Sequence, residues 1–173
     1  MSFYFSDLID YTAWERESWL NWFRQRDPNI LKISAGPNGD GRFEVVGDLV
    51  RHIFSAEKRY VERLTGRSLT DTASVPNDDV EALFEFGRRS REELTELIRT
   101  FPAADWDTLI ALQILSYAVK ASPRKIVTHV LMHEIRHWAQ IATLLRLNGV
   151  VADFHDFLGS PVMGGEWRKT GEP

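Results

Sequence analysis

The stretch His129-Val130-Leu131-Met132-His133-Glu134-Ile135-Arg136-His137-Trp138-Ala139-Gln140 carries three histidines at four-residue intervals. Four residues is about one helical turn, so a helix through this segment lines three imidazoles along one edge. Two histidines at i, i+4 can grip one divalent ion from the same side, and neutral imidazole is the commonest protein ligand for such ions. The chain has only five histidines, and their concentration here points to a metal site.

The segment sits inside a longer helical pattern. Ser122-Pro123 reads as N-cap and first helical residue, and Asn148-Gly149 as the end. The apolar arc of this helix contains Val127, Leu131, Ile135, Trp138, Ile141, Ala142 and Leu145. At ~100° per residue, His137 lies at the edge of that arc, His133 ~40° further out and His129 ~40° beyond. A ligand has to face the bundle, which favours His133 and His137 over His129.

Three further helices precede it. The first is expected over about Ser6–Gln25, with Leu8, Ile9, Thr12, Trp19, Leu20 and Phe23 inward, and Asp27-Pro28 closing it. A turn-rich loop from 28 to 45 follows, with a brief extended piece near Phe43–Val46. The second helix runs from about Val46 to Thr65, with Gly66 placed as its C-cap glycine. The third spans about Asp78–Thr100, capped by Asn77 or Asp78, with an apolar stripe of Val80, Leu83, Phe84, Gly87, Leu94, Leu97, Ile98 and Phe101. Residues 103–121 are apolar without clear period, and read as a strand-like segment or a short buried helix. The tail from Val150 reads as irregular. The pattern predicts one all-α domain over 1–173, a four-helix bundle with a short irregular C-terminal tail.

Bulk properties exclude several classes. A net charge of −4 argues against nucleic acid as a partner, since such proteins show a basic footprint. No apolar run approaches the ~20 residues that cross a bilayer. The first residues lack the basic start and apolar block of a signal peptide, so the expected compartment is the cytoplasm. With no cysteine in the chain, any metal is held by nitrogen and oxygen, and thiol chemistry requires a thiol brought in by the substrate. Trp14, Trp19 and Trp22 on the first helix suit either a dimer contact or a self-packed core.

A third ligand is available in His52, which flanks the apolar stripe of the second helix, where a pocket between two helices would open. Glu57 falls inside that stripe, and a buried carboxylate needs a partner: an arginine, or a ligand histidine that it orients. His155, in the tail, has no evident role. The run His133-Glu134-Ile135-Arg136-His137 also satisfies H-E-x-x-H, the zinc-peptidase pattern in which the glutamate is general base. That reading would need His155 or Glu166 as third ligand, within about 36 residues of remaining chain and with little sheet to support it.

Over nearly its whole length the sequence resembles the DinB/YfiT-like family of small metal-binding bundles. The residues that carry the resemblance are Gly47-Asp48-Leu49-Val50-Arg51-His52-Ile53-Phe54-Ser55-Ala56-Glu57, His129 through His137 with Gln140, and the helix end Asn148-Gly149 followed by Asp153-Phe154. The resemblance implies an up-down-down-up bundle, commonly a homodimer, in which His52, His133 and His137 hold nickel, zinc or a similar divalent ion. It implies a divalent-metal-dependent enzyme, a thiol transferase or hydrolase acting on a small-molecule substrate such as a low-molecular-weight thiol. Glu57 or Glu134 would then serve as base or orient a ligand. The competing expectation is a non-catalytic, stress-related binding scaffold with a structural metal. The chain departs from the family pattern at the motif's end, where His137-Trp138-Ala139-Gln140 replaces the frequent His-Arg-Gly-Gln.

Overall fold

A computed structural model describes residues 5–114, 116–153 and 155–164. Four long helices dominate: α1 (Phe5–Arg24), α2 (Val46–Leu64), α3 (Val80–Thr100) and α4 (Pro123–Leu147). Local chemistry sets their ends. Asp48 turns its carboxylate back to the amides of Glu44 and Val45 at the start of α2. The cap of α3 is Asp79, which accepts from the Ala82 amide, one or two residues later than the expected Asn77 or Asp78. Ser122 caps α4 through the Lys125 amide, with Pro123 in the first turn. Gly66 and Gly149 take positive φ just past α2 and α4, where side-chain-bearing residues would be strained.

Contacts between elements fix the topology. Along α1 and α3 partners run in opposite directions, from Arg24–Glu81 to Phe23–Phe84 to Thr12–Arg91. Along α2 and α3 they rise together, from Phe54–Phe84 to Glu57–Arg91 to Lys58–Glu93. Along α2 and α4 they oppose again, His52 lying by His137 and Tyr60 by His129. The order is therefore up-down-down-up, as the family resemblance implied. A parallel α2–α3 pair forces residues 65–79 to travel back along the bundle. That return strap is tied down by Arg51 to the Val75 carbonyl and by Asn77 to Asp48. It passes so close to α2 that a Cβ on Gly47 would stand 1.7 Å from the Asn77 carbonyl oxygen.

Of the two readings of residues 110–121 the strand-like one holds, and the helical one does not. These residues make an antiparallel hairpin, β1 (Ile110–Ile114) and β2 (Tyr117–Ala121), pairing Ile110 with Ala121 and Ile114 with Tyr117. In β1 the even-numbered residues are half-buried and the odd-numbered ones exposed, a two-residue alternation hidden in sequence because Ala111 is apolar yet faces out. The tail is less irregular than expected, with a short 3-10 turn at Phe157–Gly159 and Val150 and Ala152 packed on the core.

The core has two apolar parts. One gathers Trp19, Trp22, Phe23, Leu49, Ile53, Phe54, Leu83, Phe84, Trp138 and Ile141; the other gathers Val61, Leu94, Leu97, Val127, Val130 and Leu131. Trp19 and Trp22 are thus spent inside the protein, while Trp14 is half-buried. Along every helix, the residue between the two parts is charged: Arg16 on α1, Glu57 on α2, Arg91 on α3 and Glu134 on α4. Arg16 donates to both oxygens of Glu134 at 2.5 and 2.7 Å and to both of Glu57 at 3.1 and 3.0 Å. Arg91 donates to Glu57 at 2.9 Å and to Glu134 at 2.7 Å. The Gly87 carbonyl, Thr12 and the Trp138 indole N–H satisfy further atoms. Burial opposes ionisation of Glu57, but Arg16 and Arg91 outweigh it and hold its carboxyl below the ordinary range.

Two positive and two negative groups with nearly every hydrogen bond made is the arrangement that tolerates burial; removing one member strands a charge. Arg16→Met should therefore lower the unfolding free energy by about 3–5 kcal/mol in urea titration, whereas Arg24→Ala, which breaks an exposed pair with Glu81, should change it little. Equal effects would contradict the role assigned to the buried cluster.

Candidate metal centre

Antiparallel packing of α2 against α4 brings His52 to His133 and His137. The Nε2 atom of His133 lies 3.2 Å from Nε2 of His52 and 3.0 Å from Nε2 of His137. One ligand atom from each of the three falls within 4.8 Å of the others. Nitrogen pairs 3.0–3.2 Å apart fit the edge of a coordination shell with metal–nitrogen bonds of about 2.0–2.1 Å. The donor set suits a divalent ion that accepts imidazole.

Burial follows the helical wheel: His137 is buried, His133 half-buried and His129 exposed. His129 stays out of the cluster and rests on the Tyr60 ring, 5.5 Å between centroids. All three clustered imidazoles are neutral near pH 7. Burial first, then His137, Arg42 and Arg59, hold His52 down to about 3. Burial, His137 and His52 do the same to His133, also about 3. His137 is lowered by burial, partly offset by Gln140. Neutral nitrogen is the form that binds a metal.

The long loop after α1 has a purpose that the sequence did not disclose. Its Asn38 carbonyl accepts from Gln140 Nε2 at 2.5 Å, which fixes the Gln140 oxygen 2.7 Å from Nδ1 of His137. Nδ1 therefore donates to Gln140, and the lone pair of His137 Nε2 points at the cluster. From the same loop, Phe43 packs its ring 4.7 Å from that of His52. Loop and hairpin complete a pocket of about 440 Å³ over the histidines, lined also by Arg42, Arg59, Arg63, Arg136 and Ile114.

Glu57 and Glu134, the expected base or orienting groups, bind the buried arginines, and Glu134 also accepts from Trp138. The glutamate that an H-E-x-x-H peptidase uses as base is thus committed to Arg16 and Arg91. His155 stacks on Trp19 at 4.2 Å, apart from the triad, and Glu166 lies outside the described residues. Phe154, quoted in the family resemblance, lies outside them too. The sequence assigned no role to Arg16, Arg91, Arg42, Arg59 or Arg63, and Gln140 entered only as part of the motif that carries the family resemblance. Among the described residues no helix is long and apolar enough to cross a membrane.

Two outcomes follow. In metal-free protein the unfolded chain takes up protons on His52 and His133 near pH 6.5 while the folded chain resists until about 3. Stability is therefore complete above ~6.5 and falls as pH drops through that window. Urea midpoints at pH ~7 and ~5 should differ less in a His52→Ala, His133→Ala variant than in wild type; an equal difference would contradict the assignment. Gln140→Ala should weaken metal affinity by ~10–100-fold with the fold intact, as read by competition with a chromogenic chelator.

A sequence model of the DinB family matches residues 1–168. No curated protein matches the chain.

Proposed function

The chain belongs to the DinB family, and from that premise we propose that it is a divalent-metal-dependent enzyme acting on a small anionic molecule. The observation that carries this is the convergence of His52, His133 and His137 on the floor of a pocket ringed by arginines. We assign the three imidazoles as ligands of nickel or zinc, both of which take nitrogen donors. Three protein ligands would leave coordination positions open, and a metal held there would supply either an acidified water, with a pKa of about 7, or a site for a thiolate.

The chain's own residues would do the rest. Arg42, Arg59, Arg63 and Arg136 give the pocket a positive field that draws carboxylate- or phosphate-bearing substrates. Burial raises the Tyr60 phenol above its ordinary range, so it remains a neutral donor at the pocket wall. Phe43 and Ile114 give one side of the pocket an apolar lining. Because the chain has no cysteine, a sulfur nucleophile must arrive as a thiol substrate. A low-molecular-weight thiol carrying carboxylates would suit the arginine-lined pocket, which supports thiol transfer, with hydrolysis as the other chemistry that a metal held there would serve. In this reading Glu57 and Glu134 set the spacing of α2 and α4 and take no proton from the substrate.

The alternative, a scaffold with a structural metal, differs in what metal removal does. The buried cluster already ties all four helices, so chelation should leave the protein folded with a modest shift in melting temperature and abolish turnover. Wild type should carry about one metal per chain by elemental analysis, and the His52→Ala, His133→Ala variant almost none. Stoichiometric metal in that variant would overturn the site. Unfolding on chelation, with no turnover of thiol substrates by the loaded protein, would overturn the enzyme.

A further inference from the structure

The face of α4 turned away from the histidines borders a second cleft, of about 540 Å³, between α1, α4 and the tail. It shares no lining residue with the histidine pocket. Its walls are aromatic: Tyr11 and Trp19 from α1, Trp138 from α4 and His155 from the tail. The His155 ring stacks flat on Trp19, 3° from parallel, and Trp19 stacks on Trp138 at 5.1 Å.

Among these rings lies Glu15, only 3% exposed. Its Oε2 and the Trp19 indole N–H face each other and interact weakly without closing a hydrogen bond, and both ring nitrogens of His155 have no hydrogen-bond partner among the described residues. Buried polar atoms are rarely left so poorly satisfied, and a carboxylate and an imidazole in that state beside one cleft point to a ligand. Glu15 directly precedes Arg16 and lies about 100° around α1 from it, but Arg16 is committed to Glu57 and Glu134. Asp153 and Asp156 face the cleft against Arg146 alone, an excess of negative charge to which Glu15 adds when a cation beside it favours its ionised form. A carboxylate walled by aromatic rings is the chemistry that recognises an ammonium group, through an ion pair and cation–π contact.

We propose that this cleft binds a small organic amine, its ammonium paired with Glu15 and its apolar body lying between Tyr11, His155 and Trp138. Metal binding at the triad is not required. The electrostatics agree: burial, and then Glu134, outweigh Trp19 and Arg16 and push the Glu15 carboxyl up to about 8, while burial, Glu15 and Asp156 push the Tyr11 phenol up to about 12. A cation paired with Glu15 would favour its ionised form.

The test is titration of the full-length protein with phenethylamine, followed by tryptophan fluorescence and calorimetry, with phenethyl alcohol and hydrocinnamate as neutral and anionic comparators. The amine should bind saturably and at least ~10-fold more tightly than either comparator, as expected for one buried charge-assisted contact. Glu15→Gln, an isostere of the protonated acid, should lose ~10-fold or more while melting like wild type. Ala139→Leu, which narrows the cleft from the exposed edge of α4, should also weaken binding. His52→Ala should leave amine binding unchanged, which separates this site from the metal proposal. Absence of saturable amine binding, equal binding of the alcohol, or unchanged affinity in Glu15→Gln would each overturn the assignment.

Discussion

Four charged side chains, one from each helix, meet in the middle of this bundle, and the rest of the structure is arranged around them. Arg16 and Arg91 bridge Glu57 and Glu134, so that no two helices can slide without separating buried charges. A slip of one turn displaces a side chain by about 5.4 Å, enough to break every one of these pairs. Such a cluster adds little stability over well-packed apolar groups of the same volume. Its effect is on register: any slip separates buried charges that have no other partners to take.

Register matters because the histidine triad depends on it. His133 precedes Glu134 directly, and His52 lies just over one turn before Glu57 on the antiparallel partner. The arginines that clamp the two glutamates therefore also set the distance from His52 to His133. Outside the clamp, the loop after α1 finishes the centre through Asn38, Gln140 and Phe43. A single helix, α4, thereby faces ligand nitrogens to one side, buried charge to the middle and an aromatic cleft to the other.

Much of this was legible in the sequence. Four helices, their ends and the four-residue histidine spacing all follow from local patterns, because periodicity and capping are short-range properties. The ranking of His137 over His133 over His129 came from the wheel alone. Glu57 announced itself by its phase within an apolar stripe. By the same test Arg16, spaced between Thr12 and Trp19, and Arg91, between Gly87 and Leu94, also occupied stripe positions. An arginine ordinarily faces solvent, and the glutamates that allow these two to be buried lie 34 or more residues away in the chain. The hairpin at 110–121 and the clamp from Asn38 were beyond reach for a related reason. Both are set by tertiary neighbours, and neither leaves a periodic trace.

The most direct check is a crystal grown with nickel or zinc, with anomalous scattering recorded at the metal edge. The account predicts one strong peak per chain, about 2.0–2.1 Å from Nε2 of His52, His133 and His137, with the four-charge cluster intact beneath it. A peak coordinated by the α4 histidines alone, with His52 turned away, or no peak at the triad would contradict it.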